Sequence, residues 1–404
     1  MYQTEEVNIV LSDRINALAE SQTIAMAKKG RELAAQGFDV INLSFGEPDF
    51  QTPQYIKDAA KKAIDDGFTF YTPVPGYPEL RQAIVDKFKR DNNLDYKPEN
   101  IVVSTGAKQS IANVVMCLVN PGDEVIIFSP YWVSYEEVVK LSEGVSVPIM
   151  GTLENDFKVT AEQLEQAITS NTKLVMFSSP CNPTGSVFDA AELEAIARVL
   201  EKHPQVYIMA DEIYEYINFG AKHASIASFD FIKDRVITVN GFSKGYAMTG
   251  WRVGYIAAHK EIATACDKIQ SQMTSGTCSI AQKAAYAALQ GGKSAAEEMS
   301  AVYLRRRDLV LDLMKDIPGF ATNVPNGAFY LFPDVSYYFG KSVDGKEIKD
   351  SFDLSMYLLT DAHVALVSGD AFGAPQCIRF SYATSDEKLV EAMERIKKSL
   401  AKLQ

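Results

Sequence analysis

Histidine is scarce in this 404-residue chain, with four in all, His203, His223, His259 and His363. None stands at ligand spacing from another histidine or a cysteine, so no metal centre is expected. The five cysteines, Cys117, Cys181, Cys266, Cys278 and Cys377, are odd in number, scattered and without a C-x-x-C pair. That indicates neither a disulfide framework nor a zinc site. No apolar run approaches the ~20 residues of a membrane span. The start, MYQTEEVNIVLSDRINAL, carries acids where a signal peptide needs positive charge, so a cytoplasmic protein is expected. There is no basic block, and 52 acidic residues against 40 basic ones leave a formal charge of -12. Nucleic acid and anionic membranes are therefore poor partners. No G-x-G-x-x-G follows an early strand, which sets aside a nucleotide-binding dehydrogenase. Internal repeats and low-complexity tracts are also lacking.

What is present is the composition of a globular chain large enough for two domains, 47% hydrophobic and 23% charged. An amphipathic pattern over 14–36 predicts a helix ending near Gly37, followed by the apolar VINLSF and the loop GEPDF. From about 54 to 300, short apolar runs alternate with helical patterns near 54–66, 78–90 and 190–202 and after Gly106. The runs include IVVS (101–104), EVIIF (124–128), LVMFSS (174–179), VYIMA (206–210), VITV (236–239) and VGYIAA (253–258). Such runs indicate an α/β fold with a mainly parallel central sheet covered by helices on both faces. Longer helical patterns follow at 260–290 and 294–316, the second carrying RRRD at 305–308. Beyond them AFYLF, a helix near 352–361, VALV, IRFSY and a terminal helix from Ser385 suggest a smaller α+β domain, with 337–351 as an exposed insertion. The expected division is an N-terminal segment, 1–50, contributing to the small domain, a large domain, 51–295, and a small C-terminal domain, 296–404.

In an open parallel sheet, ligands bind beyond the carboxyl ends of the strands. Thr105-Gly106-Ala107-Lys108-Gln109 follows IVVS and opens a helix whose free N–H groups suit a phosphate. Pro130-Tyr131-Trp132 follows EVIIF, Asn182-Pro183-Thr184-Gly185 follows LVMFSS, Asp211-Glu212-Ile213-Tyr214 follows VYIMA, and Ser243-Lys244 follows VITV. Taken singly these read as turns, a helix cap, an aromatic packing residue and a loop lysine. Together they complement a planar phosphorylated pyridine, which needs a phosphate cradle, a carboxylate at its ring nitrogen, donors at its phenolic oxygen, an aromatic face and a lysine for its aldehyde.

With Gly46-Glu47-Pro48-Asp49-Phe50, Tyr71, Gly76-Tyr77-Pro78, Gly250-Trp251-Arg252-Val253-Gly254 and Arg379-Phe380-Ser381 in the same order, the sequence resembles the class I aminotransferases of fold type I. Within them it is most similar to the bacterial aspartate aminotransferase branch that meets the distal carboxylate with a lysine. The resemblance implies pyridoxal 5′-phosphate held as an internal aldimine on Lys244, which then moves the proton at the substrate Cα. It implies Asp211 at the pyridine nitrogen, Tyr214 and Asn182 at the ring oxygen and Trp132 on the ring. Gly106, Ala107, Lys108, Ser243 and Arg252 would hold the phosphate end, helped by Tyr71 from the second subunit of a homodimer. Arg379 would fork the α-carboxylate, assisted by Gly46, Asn182 and Trp132, and Lys108 would meet the side-chain carboxylate. The implied reaction exchanges L-aspartate and 2-oxoglutarate for oxaloacetate and L-glutamate. Use of prephenate or aromatic amino acids is the alternative, and a non-catalytic pyridoxal-phosphate-binding regulator is the rival from another class. Residues around Ser21 to Thr23 are a candidate lid contact. The chain departs from many relatives at Gly241, where they carry a serine that contributes a phosphate hydroxyl.

Overall fold

The computed structural model describes residues 9–20, 22–220 and 222–404. Its centre is a seven-stranded sheet built from the apolar runs: β1 (Ile101–Ser104), β2 (Glu124–Ser129), β3 (Val145–Met150), β4 (Thr172–Ser178), β5 (Tyr207–Asp211), β6 (Val236–Gly241) and β7 (Gly254–Ala257). The order across the sheet is β1-β7-β6-β5-β4-β2-β3. Only β7 runs antiparallel to its neighbours, β1 and β6. Strands β1, β6 and β7 are buried at every position, as expected of a sheet with helices on both faces. One face packs on a core that includes Ile84, Val103, Leu193 and Tyr255, the other on Ile111, Val115, Val139 and Ile262. Each such aliphatic side chain contributes on the order of 1.5–3 kcal/mol by leaving water.

A separate core gathers Leu43, Tyr303, Met314, Leu354, Leu366, Phe380 and Ile396. Its strands are short: Tyr330–Leu331 and Val367–Ser368 flank Ile378–Ser381, all antiparallel. The RRRD cluster lies on the helix Ser294–Met314. There Arg306 pairs with Asp49 at 2.9 Å and with Asp386 at 3.3 Å, tying GEPDF to the terminal helix, while Arg307 donates to the Pro325 carbonyl at 2.8 Å.

Three patterns divide where one element was expected. Residues 14–36 form two helices, Asp13–Asn16 and Gln22–Ala35, because the Ala19 N–H leaves the helical path to donate to Glu137 Oε2 at 2.9 Å. The 260–290 pattern breaks between Lys260–Met273 and Ser279–Gln290, where Ser275 takes a left-handed φ of 58° and the Gln270 carbonyl accepts from both Thr274 and Ser275. VALV switches partner within itself: Val364–Ala365 pairs with Ile41–Asn42, and Val367 with Arg379.

Candidate active site

The carboxyl ends of the parallel strands open on a cavity of about 390 Å³, within the ~300–1,000 Å³ range of small-molecule sites. Gly46, Ala107, Lys108, Trp132, Asn182, Asp211, Tyr214, Ser243, Lys244, Arg252 and Arg379 all line it. Thr23 and Ile24 stand at its rim, and Ser21 lies outside the described residues. Tyr71 is not part of this cavity; its side chain is 98% exposed.

The phosphate-sized end begins where β1 turns into the helix Ala107–Leu118. Gly106 is the residue before that helix, with φ +84°, and a Cβ on it would lie 2.4 Å from Arg252 Nη2. No other residue lets the guanidinium lie across the turn. Gln270 fixes the strand end from behind: it accepts from Ser104 Oγ at 2.7 Å and donates to the Val103 carbonyl at 2.8 Å. Arg252 is oriented by donating to the Thr249 carbonyl at 2.8 Å. With Ser243 and the helix N-terminus, it could hold a dianion.

Asp211 closes β5 and is buried. Its Oδ2 accepts from Tyr135 Oη at 2.9 Å and its Oδ1 from the Ile213 N–H at 3.1 Å. Burial raises its carboxyl to about 6, despite those two donors. Lys244 lies in the turn after β6 and donates to the Gly46 carbonyl. Burial, then the Arg379 charge, lowers its amine to about 8. Each of these two groups is charged at a cost in the protein alone. A ligand bringing a cationic ring nitrogen to Asp211, an aldehyde to Lys244 and a phosphate to Arg252 would relieve both, so the donor set fits pyridoxal phosphate.

Arg379 is 1% exposed, and its Nη1 donates to Asn182 Oδ1 at 3.0 Å, its Nη2 to the Ser44 carbonyl at 2.6 Å. Among the described residues its Nε finds no hydrogen-bond partner, which makes it a donor suited to a bound carboxylate. Lys108 lines the cavity with its Nζ 4.9 Å from the Trp132 ring centre. Partial burial, then the Arg252 charge, holds its amine below the ordinary range.

The residue departure at Gly241 has a steric cause. Gly241 faces Gly254 across β6 and β7, and a Cβ on it would lie 2.9 Å from Gly254 Cα and 3.0 Å from the Val253 carbonyl oxygen. The strand pairing leaves no room for a serine side chain.

Sequence reasoning missed several neighbours. Tyr135, three residues after Trp132 in the same post-strand stretch, was within reach of inspection. Tyr330, whose hydroxyl lies 2.7 Å from that of Tyr214, carried no motif signal. His223, isolated in sequence, meets Glu212 at 3.1 Å in a buried group with Glu215, the one cluster with metal-ligand spacing found among the described residues. Lys87 pairs with Glu215, so a basic side chain of the protein already faces each carboxylate.

A family model described as aminotransferase class I and II matches residues 39–396. The aspartate/prephenate aminotransferase of Cereibacter sphaeroides is 48% identical over 396 residues, covering 96% of this chain and 97% of that protein. The bifunctional aspartate aminotransferase and glutamate/aspartate-prephenate aminotransferase of Petunia hybrida is 48% identical over 400 residues, 98% of this chain and 84% of that one. Among solved structures, the aspartate aminotransferase of Rhizobium meliloti superposes with a TM-score of 0.95 at 43% identity, covering 98% and 100% of the two chains. That of Thermus thermophilus with maleate gives 0.91 at 39%, covering 97% and 100%. Likeness of this extent, along the whole sheet and both cores, makes the chain a member of the class I and II aminotransferases, an enzyme of fold type I that transfers amino groups with pyridoxal 5′-phosphate.

Proposed function

We propose that the enzyme exchanges the amino group of L-aspartate with 2-oxoglutarate, giving oxaloacetate and L-glutamate. The observation that carries this reading is a pair of cations, Arg379 and Lys108, lining one cavity with Lys244. A dicarboxylate asks for two such charges. The structure of the Thermus thermophilus relative was determined with the dicarboxylate maleate, which supports the same view of this site.

In this reading Gly106, Ala107, Lys108, Ser243 and Arg252 hold the phosphate end of the cofactor. Asp211 stays ionised and keeps the ring nitrogen protonated, while Tyr214 and Asn182 hydrogen-bond the ring oxygen and Trp132 covers the ring. Pyridoxal phosphate supplies the electron sink that makes the substrate Cα proton removable. Lys244 Nζ, with an amine near 8, is poised to take that proton and give it back close to neutral pH. Arg379 offers a planar fork to the α-carboxylate, which a lysine could not match, assisted by Asn182 and Gly46. Lys108 Nζ meets the distal carboxylate.

The test is a substrate screen on Lys108→Ala. Loss of the preference for aspartate over alanine and phenylalanine is expected; an unchanged preference removes the role. A second reading, use of prephenate, is supported by the names of the Cereibacter and Petunia relatives. A half-reaction panel with aspartate, glutamate, phenylalanine and a prephenate-type acceptor separates the two.

The same reading makes the enzyme a homodimer in which Tyr71 of the partner subunit reaches the phosphate. Tyr71 and Phe70, at 98% and 83% exposure, present a bare aromatic pair that a second chain would cover. A monomer fully active on dilution contradicts this. It also takes 51–295 as a large domain and 1–50 with 296–404 as a small one that closes on substrate. In support, Asp211 ends β5 and Trp132 and Lys244 follow β2 and β6, whereas Arg379 is on the strand Ile378–Ser381 and Gly46 lies beside Tyr330 of the other core. Small-angle scattering that is unchanged by saturating maleate would argue against closure.

A further inference from the structure

Tyr330 belongs to no sequence motif singled out above, yet it touches both ends of the proposed site. It is fully buried, on the strand Tyr330–Leu331, which pairs with the strand carrying Arg379. The Arg379 guanidinium lies over its ring, 4.6 Å from the centroid. Its hydroxyl is 2.7 Å from the Tyr214 hydroxyl and 3.0 Å from where a Cβ on Gly46 would stand. No wider side chain at 46 would leave that hydroxyl in place.

A phenol carries one proton. Within the pair, therefore, one hydroxyl donates to the other, and the acceptor's own proton is left free for a third group. The direction matters, because a Tyr214 that donates to Tyr330 has nothing left to give the cofactor. Burial pushes both phenols up; for Tyr330 the strongest opposing influence is the Arg379 guanidinium, and Tyr214 is held well above its ordinary value. The cation beside Tyr330 makes it the better donor.

We propose that Tyr330 is a positioning residue: it donates its phenolic proton to Tyr214 Oη and so turns the Tyr214 proton toward the cofactor's ring oxygen. This rests on the reading of Tyr214 as the partner of that oxygen. The consequence is a hydroxyl pair that favours the ionised ring oxygen more than Tyr214 alone would. Because the ring of Tyr330 also supports Arg379, its hydroxyl and its ring have separable effects.

The experiment is a spectrophotometric pH titration of the visible band of the pyridoxal-phosphate-loaded protein, together with maleate affinity. Tyr330→Phe keeps the ring and removes the hydroxyl. The titration midpoint is expected to move up by about 0.5–1 pH unit, the size of one hydrogen bond, with maleate affinity changed less than about twofold. Tyr330→Leu is expected to show the same shift and a larger loss of maleate affinity. Tyr214→Phe is expected to shift the midpoint at least as far, and the double Phe variant to titrate like Tyr214→Phe alone. Should Tyr330→Phe fail to fold, the double variant, which orphans no hydroxyl, decides: an additional shift beyond Tyr214→Phe overturns the proposal. A Tyr330→Phe midpoint equal to wild type overturns it too. If Tyr214→Phe shifts the band while Tyr330→Phe does not, the role of Tyr214 stands and only this inference falls. If neither shifts it, the reading of Tyr214 falls with it.

Discussion

Asp211 and Glu212 are neighbours at the end of β5, both buried, in opposite electrostatic surroundings. Asp211 has two neutral donors, the Tyr135 hydroxyl and the Ile213 N–H, and burial leaves its carboxyl raised to about 6. Glu212 accepts from Ser225 Oγ and faces the His223 ring at 3.1 Å, with Lys87 paired to Glu215 beside it. Burial alone pushes the His223 imidazole down, but Glu212 and then Glu215 outweigh it and hold it above its ordinary value. Two carboxylates, the Lys87 ammonium and the His223 ring thus compensate one another around Glu212, while Asp211 and Lys244 line the cavity. A buried charge with its partner built in is structural, and one without its partner marks a binding site.

That contrast can be broken from either side. The largest effect is expected from Lys244→Ala, which removes the proposed base: transamination falls by about 10⁴-fold or more while pyridoxal phosphate still binds, measured by turnover and bound cofactor. Undiminished turnover sinks the assignment. Next comes Glu215→Gln, which strands the Lys87 ammonium in the interior. The cost is about 3–5 kcal/mol in urea denaturation, because the remaining charge has lost its carboxylate.

Asp211→Asn is expected to act with the opposite sign on the cofactor-free protein. The folded carboxyl is raised from 3.8 to about 6, so the native state holds its proton more tightly than the unfolded chain. Its contribution is fully present below 3.8 and is lost as pH rises to about 6. Asparagine avoids that loss, so the variant gains stability on the order of 3 kcal/mol at pH 7, and the gain vanishes toward pH 4. A destabilised variant at pH 7 would show Asp211 to be compensated after all.

On the structural side the same check applies to His223. Its raised folded value contributes stability that is complete below the unfolded value of about 6.5 and lost as pH climbs through the folded one. The gap between wild type and His223→Asn in denaturation midpoint is therefore expected to shrink toward alkaline pH; a constant gap contradicts a charged histidine. The smallest effect is at Gly241→Ser, expected to cost about 1–3 kcal/mol of stability by crowding Gly254, with no tighter hold on the cofactor.

Much of the site was legible because its residues follow apolar runs, and a run with its terminating turn is a local pattern. Lys244, Asp211, Asn182 and Ala107 each stand just past such a run. The helix predicted over 14–36 divides at a contact with Glu137, more than a hundred residues away, which no local pattern reveals. Tyr330 escaped for the same reason, since nothing in AFYLF announces a hydroxyl bonded to Tyr214.

The sequence by itself determined most of the strand and helix pattern, the family and the set of groups at the strand ends, because hydrophobic periodicity and turn chemistry act over a few residues. Only the tertiary structure decided that Asp211 and Glu212 face different worlds, that Tyr330 backs Tyr214, and that Gly241 has no space for a side chain. Those outcomes depend on which distant atoms crowd, donate to or neutralise a group, and sequence separation carries no information about that.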